Sequence, residues 1–367
     1  MSANNGRDLR ALPKNHLHIH LEGAMRPETL AELCERYALE RPQDTRGKRF
    51  ANFGGFNDLY WAATECIRTR DDLARVVLEV AQDAASHGVW WMEPAFDTER
   101  YSTLREGNPF RLFETQKEGW LFMLEAASAA SKATGVGIGY TSAIDRTRSL
   151  ESAMYRAQVT AEIVNSGAHV IDMQAGGYIG RHAGIVAMGL HSNEAGFPPE
   201  PFEAAFRAAI DGTGLLSTPH AGEIAPAPGQ GPASVAGAID ALGADRIAHG
   251  VLAITEPELI ERLAAEQICL DVCPTSNILL SVFPSIAEHP LPEFLDAGVA
   301  CSLGSNDPLL FGPGLLEEYE LCRAEMALND HQLARLAKAS FQYSGAPAEL
   351  RDAGVEAVDR WLASPEA

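Results

Sequence analysis

Two histidines one residue apart, His18 and His20, begin the set of side chains able to do chemistry. Alternate side chains share a face of a β-strand, so both imidazoles can reach one metal ion. Alone, the pair reads first as two core or surface histidines bonded to their neighbours. His16 lies on the same face one layer deeper, where a structural role is expected. His220 ends another apolar run and is followed, after Ala-Gly, by Glu223. It can complete a three-histidine set, while the glycine lets the chain turn so that Glu223 projects back over the ion as a general acid. A Glu after a strand also serves as a helix-cap partner or a solvated side chain. His249 closes the run Arg246-Ile-Ala-His-Gly250, a position suited to polarising a water or steadying negative charge. Without the other motifs it reads as structural. Asn306 and Asp307 end a further run, with one side chain able to face a metal and the other a ligand. An Asx turn before Pro308 accounts for the same residues.

These residues need elements that bring them together. Eight β-prone runs recur: Leu17–Leu21, Val89–Phe96, Val136–Ala143, His169–Met173, Leu215–Thr218, Arg246–His249, Ile268–Val272 and Val299–Leu303. Between them, segments such as Asp72–Ser86, Arg111–Ala133, Ser152–Val164 and Pro257–Ala265 carry apolar residues at helical spacing. Alternating β and α units in this number predict an α/β fold, a (β/α)₈ TIM barrel with additional helices. One domain spans residues 1–367, with a barrel core over about 12–312 and C-terminal helices over about 314–363. The polar residues fall at the C-terminal ends of the runs, the face where such a barrel collects its chemistry.

Composition narrows the function classes. Hydrophobic residues at 46% and charged residues at 22% are ordinary for a globular chain, so neither a disordered nor a fibrous class is indicated. A formal net charge of −21, with 29 scattered Lys and Arg, excludes a phosphate-backbone partner. No apolar run suits a membrane span and Met1–Asn15 has no leader-like core, so a cytoplasmic location is expected. The cysteines Cys34, Cys66, Cys269, Cys273, Cys301 and Cys322 form no CxxC pair and read mostly as small buried hydrophobes. Ile224–Pro232 reads as a loop, and Gly135-Val-Gly-Ile-Gly139 lacks the full dinucleotide fingerprint. Nothing in the sequence sets an oligomeric state.

Taken in order, Leu12-Pro-Lys14, His18-Ile-His-Leu-Glu-Gly23, Arg26-Pro-Glu-Thr-Leu30, His220-Ala-Gly-Glu223, Asp245-Arg-Ile-Ala-His-Gly250, Cys273-Pro-Thr-Ser-Asn277 and Ser305-Asn-Asp-Pro308 resemble the signatures of the adenosine deaminase family. The resemblance runs from about Leu12 to Tyr319. It implies one zinc ion held by His18, His20 and His220, with the fourth ligand position at Asn306. It implies Glu223 as the acid that protonates purine N1 and His249 as the histidine that orients the attacking water. Asp307 would contact N7, the Gly176 backbone N3, and Glu22 the region of the ribose 5′-hydroxyl. The implied partner is a small-molecule purine nucleoside, converted to its 6-oxo product with release of ammonia. C6 of an aminopurine is a poor electrophile, so water must be activated and the ring must accept a proton; zinc lowers the pKa of a coordinated water to about 7.

The sequence departs from the family at Asn306, where the family carries the first of two aspartates. An amide oxygen can coordinate zinc but brings no charge and accepts no proton from the water. Three explanations fit: an engineered substitution that traps substrate, which is favoured because every other motif residue is present; a natural enzyme with altered metal or chemistry; or a lineage that binds without turnover. Met173-Gln-Ala-Gly-Gly177 also differs from the family pattern around Gly176. Aromatic residues between Phe50 and Trp61 suit either a lid that stacks on a purine or a helix core. Adenosine, adenine and larger nucleosides such as aminodeoxyfutalosine remain open as substrates. The alternatives are a metal-dependent hydrolase of adenine or another amine or amide, and a catalytically inactive purine-nucleoside-binding protein.

Overall fold

The computed structural model describes residues 6–103, 111–225 and 227–365. Residues 1–5 of the segment Met1–Asn15 and Pro226 of the Ile224–Pro232 loop lie outside the described residues. Apolar runs become eight parallel barrel strands: Lys14–His20, Val89–Phe96, Tyr140–Asp145, Ile185–His191, Leu216–Ser217 continued by His220–Ala221, Arg246–His249, Cys269–Val272 and Ala300–Leu303. Consecutive strands are neighbours throughout. The fifth strand is interrupted at Pro219, which has no N–H to give to a ladder. The eighth returns to the first: Asn306 N–H donates to His18 O at 3.2 Å and His20 N–H to Asn306 O at 3.0 Å. The expected (β/α)₈ TIM barrel is therefore the observed fold.

One strand lies elsewhere than expected. His169–Met173 was to be the fourth barrel strand; instead Val170–Ala175 pairs antiparallel with Tyr178–Ala183 in a separate hairpin. The barrel position is taken by Ile185–His191, an almost unbroken apolar run of the kind a strand buried on both faces requires. The hairpin turns through Gly176 and Gly177 at φ of +53° and +90°, the two positive values a tight two-residue hairpin turn demands. A side chain at Gly176 would also strike the Trp90 ring.

The helices follow the sequence closely, over Arg70–Ser86, Gln116–Thr134, Leu150–Asn165 and Pro257–Ala265. Thr69 and Asp72 form a capping box that starts the first of these. Beyond the barrel, Leu315–Glu325, Asp330–Gln342 and Ala348–Ala363 are helical. The second of them covers the N-terminal end of the barrel, where Ser340 Oγ receives the Asn15 N–H at 2.8 Å. Among the described residues no helix is long and apolar enough to cross a membrane. The six cysteines are buried free thiols, as expected.

The barrel interior below the mouth holds a buried charge cluster. Arg246 donates through Nη2 to Glu93 Oε2 at 2.5 Å and through Nε to Asp271 Oδ2 at 2.9 Å. Ser302 Oγ donates to the other Asp271 oxygen at 2.7 Å, and Trp91 Nε1 and Gly345 N satisfy Glu93 Oε1. Removing one member of such a cluster strands the others in low dielectric. Arg246→Met should therefore cost about 3–5 kcal/mol, measured by denaturant unfolding. A change under about 1 kcal/mol would mean that water reaches these carboxylates.

Candidate active site

The barrel mouth brings together most residues expected there. His18 and His20 stand on the first strand, His220 on the fifth, His249 on the sixth, and Asn306 and Asp307 just past the eighth. His18 Nδ1 lies 2.8 Å from the backbone oxygen of Asp271, and His220 Nδ1 lies 3.0 Å from that of Leu190. A carbonyl only accepts, so each Nδ1 carries the proton and each Nε2 turns its lone pair inward. His18 Nε2 is buried without a hydrogen-bond partner, and His20 Nε2 sits 3.2 Å from His220 Nε2. Two nitrogens bound to one tetrahedral zinc at about 2.0–2.1 Å would be separated by roughly 3.3 Å. The ring centroids of His18, His20 and His220 lie 4.8–5.9 Å apart. Burial first, and then the neighbouring imidazoles, holds all three far below the usual histidine range, His20 at about 3, so the rings are neutral and fit to ligate.

Two further groups face the same space. Asn306 has φ of +57°, and its Nδ2 donates to Ser276 Oγ at 2.9 Å, which leaves Oδ1 buried and unpartnered. That oxygen is the neutral donor available as a fourth ligand. Nitrogens of His18, His220 and His249 also lie within 4.8 Å of one another, which makes His249 a competing ligand on distance alone.

Glu223 reaches its place through a turn at Gly222, whose φ is +63°. The N–H groups of Gly222, Glu223 and Ile224 all donate to the Glu194 carboxylate at 2.7–2.9 Å, which locks the turn. Glu223 Oε1 is 3.2 Å from His249 Nε2. Asp307 is buried with Oδ1 unpartnered; burial, reinforced by the charges of Glu223 and Glu22, pushes its carboxyl well above the ordinary range. A side chain on Gly23 would collide with that carboxyl, so glycine is required there. Glu22 accepts from Tyr101 Oη at 3.0 Å and Tyr60 Oη at 3.3 Å, and burial raises its pKa.

Around these groups lies one pocket, walled by Phe53, Phe56, Tyr60 and Trp61 from a single face of the helix Phe53–Thr64. The aromatic segment thus forms a pocket wall. Arg100 covers the Trp61 ring at 3.8 Å, and Asp97, Asp145, His191 and Ser192 line the remaining side. Gly176 is not among the lining residues: it sits in the hairpin turn against Trp90, whose ring meets Phe341 of the helix across the opposite end of the barrel. The error follows from the misplaced fourth strand, whose true C-terminal end delivers His191 and Ser192.

A family model described as adenosine deaminase matches residues 13–361. The chain belongs to the adenosine deaminase family. It is 35% identical to a putative adenosine/adenine deaminase of Streptomyces virginiae, over 97% of this chain and 98% of that protein. An aminodeoxyfutalosine deaminase of Streptomyces coelicolor is 33% identical over 98% of this chain and 88% of its own length. The crystal structure of an adenine deaminase from Arthrobacter aurescens superposes with a TM-score of 0.81 at 27% identity, covering 96% of this chain and 99% of that one. Adenosine deaminase family members are metal-dependent hydrolytic deaminases, and the chain is an aminohydrolase of that family.

Sequence reasoning left Glu194, Ser192, Tyr101 and Arg100 without roles, because each depends on contacts across distant segments. The inward lone pairs lead to a thermal prediction. Zinc at a hundredfold excess over its Kd should stabilise metal-free protein by about 2.7 kcal/mol, seen as a rise in Tm, and His18→Ala or His220→Ala should abolish the rise. An unchanged Tm on zinc addition to the natural chain would contradict a site at these imidazoles.

Proposed function

We propose that the chain hydrolyses the 6-amino group of adenine or an adenine nucleoside, giving the 6-oxo purine and ammonia. The carrying observation is the convergence of the Nε2 atoms of His18, His20 and His220 with Glu223 and Asp307 at one aromatic-walled pocket, with His249 packed behind them against Glu223 and His18. His18, His20 and His220 would hold one zinc ion, with Asn306 Oδ1 in the fourth position. When bound, the ion supplies the Lewis acidity that activates water for attack at C6.

The other steps belong to the chain. Glu223 passes a proton to N1, which disrupts ring aromaticity and opens C6 to addition. His249 orients the incoming oxygen. Purine N7 is a lone-pair acceptor that an ionised carboxylate would repel; the raised pKa of Asp307 favours the protonated form, which can donate to it. Ser192, with φ of +73° at the end of the fourth strand, replaces Gly176 as the proposed backbone contact to N3. Glu22, held by two tyrosine hydroxyls, would meet the sugar hydroxyl or the polar edge of a free base.

The pocket charge supports a substrate without phosphate. Asp307 aside, whose protonated form carries no charge, Glu22, Asp97, Asp145 and Glu223 line it, against the single cation Arg100 among the described lining residues. Ammonia release should therefore be seen with adenine or adenosine and be at least about tenfold weaker with the 5′-monophosphate, a difference of about 1.4 kcal/mol. Efficient turnover of the monophosphate would overturn this choice.

Asn306 motivates a second reading, binding without turnover: nucleoside that binds and releases no ammonia would support it. In an otherwise active site, Asn306→Asp adds charge for the cation and a proton acceptor, so zinc affinity and ammonia release should both rise, the latter at least about tenfold. In that background Glu223→Gln should keep metal and purine binding while lowering kcat by roughly 10²-fold or more. Unchanged kcat would assign proton transfer to another group.

A further inference from the structure

Behind His249 lies a chain of hydrogen bonds that uses two buried residues with no assigned role, Asn277 and His289. It begins at a backbone amide. Leu291 N–H donates to His289 Nδ1 at 3.2 Å, and an amide nitrogen can only donate, so His289 Nδ1 holds a lone pair. His289 is 3% exposed, and burial lowers its pKa to about 3, so the ring is neutral and its one proton sits on Nε2. That Nε2–H lies 3.1 Å from Asn277 Oδ1.

Asn277 is fully buried in the turn of helix Pro274–Leu279, and its backbone oxygen receives the Val282 N–H at 2.9 Å. With its oxygen committed to His289, the amide presents Nδ2 to His249 Nδ1 at 3.2 Å. Nδ2 only donates, so His249 Nδ1 accepts and the proton of neutral His249 resides on Nε2. The opposite amide orientation would set the Asn277 N–H against the His289 Nε2–H, with no acceptor between them. Among the described residues His249 Nε2 makes no hydrogen bond, though Glu223 Oε1 lies 3.2 Å away. The ring centroid is 4.4 Å from that of His18.

We propose that Leu291, His289 and Asn277 form a relay that fixes His249 as the Nε2–H tautomer, making it a hydrogen-bond donor to the attacking oxygen rather than a base or a metal ligand. This explains why His249 lies at ligand distance yet leaves the ion to His18, His20 and His220: a protonated nitrogen offers no lone pair. It also aims a buried N–H at the point where an oxygen gains negative charge, the arrangement that stabilises such a transition state. Asn277 and His289 are positioning residues acting through His249. The catalytic part of the inference rests on the proposed deamination; the tautomer itself does not.

Nitrogen NMR of the full-length protein labelled at histidine, metal-free and zinc-loaded, reads the tautomer directly. The natural chain should show His249 with a protonated Nε2 and a bare Nδ1; a bare Nε2 overturns the relay even if the enzyme deaminates purines. Asn277→Asp is nearly isosteric, but its carboxylate accepts at both oxygens and draws a proton onto His249 Nδ1. It should change the His249 signals, keep bound zinc, lower kcat more than it raises KM, and reduce kcat/KM at least about tenfold. Natural His249 signals in a folded Asn277→Asp protein would overturn the proposal. Should that variant not fold, His289→Leu and His289→Gln decide: Gln retains an N–H donor toward Asn277 and should restore the tautomer signature and activity lost with Leu. Equal losses in both overturn the relay. Failure of the natural chain to release ammonia while the tautomer is as stated would count against the deaminase reading alone.

Discussion

The site depends on imidazole nitrogens brought to face one another at the barrel mouth, with His18 and His220 buried and His20 half-buried. Two Nε2 atoms 3.2 Å apart, each ring neutral, make an unfavourable pair unless a cation or a proton stands between them. Backbone carbonyls hold the far sides of the His18 and His220 rings and so fix which way their Nε2 atoms point. His18, on the first strand, is held by the seventh, and His220, on the fifth, by the fourth. Asp271, whose carbonyl orients His18, is itself anchored through its carboxylate by Arg246 and Ser302. The charge cluster beneath the mouth and the ligands within it are one mechanical unit, as expected where outer partners set ring orientation.

The same logic orders the acidic groups. Glu194 collects three consecutive N–H groups and so shapes the turn that aims Glu223, while Gly23 clears the volume that Asp307 fills. A neutral amide at Asn306 changes the balance: its oxygen carries no charge, so an ion held as proposed by three imidazoles and this amide would keep its full divalent charge uncompensated by direct ligands. Glu223 and Asp307 are the nearby carboxylates that feel that charge.

Most of the residues that meet at the barrel mouth were legible in the sequence because their spacing is local. His18 and His20 share a strand face, and His220 and Glu223 share a turn whose glycine adopts the positive φ the spacing required. The helices were legible from apolar periodicity. The fourth strand was not: the sequence reading picks out His169–Met173 and passes over Ile185–His191, and only pairing separates a half-exposed hairpin from a strand buried on both faces. That slip carried the expected N3 contact to Gly176, in the hairpin turn away from the pocket, rather than to the end of the fourth strand. Asn277 stood inside a recognised motif, yet its use depends on His289 twelve residues on and on the Leu291 amide, contacts made only after the chain has folded.

The central claim, that one ion at His18, His20 and His220 enables deamination of a 6-aminopurine, is tested most directly by adding zinc stepwise to metal-free protein while ammonia release from adenine and adenosine is followed. The account predicts release that is absent without metal, rises in proportion to bound zinc and saturates at one ion per chain. Release independent of bound metal, or none from either substrate at full occupancy, would contradict it.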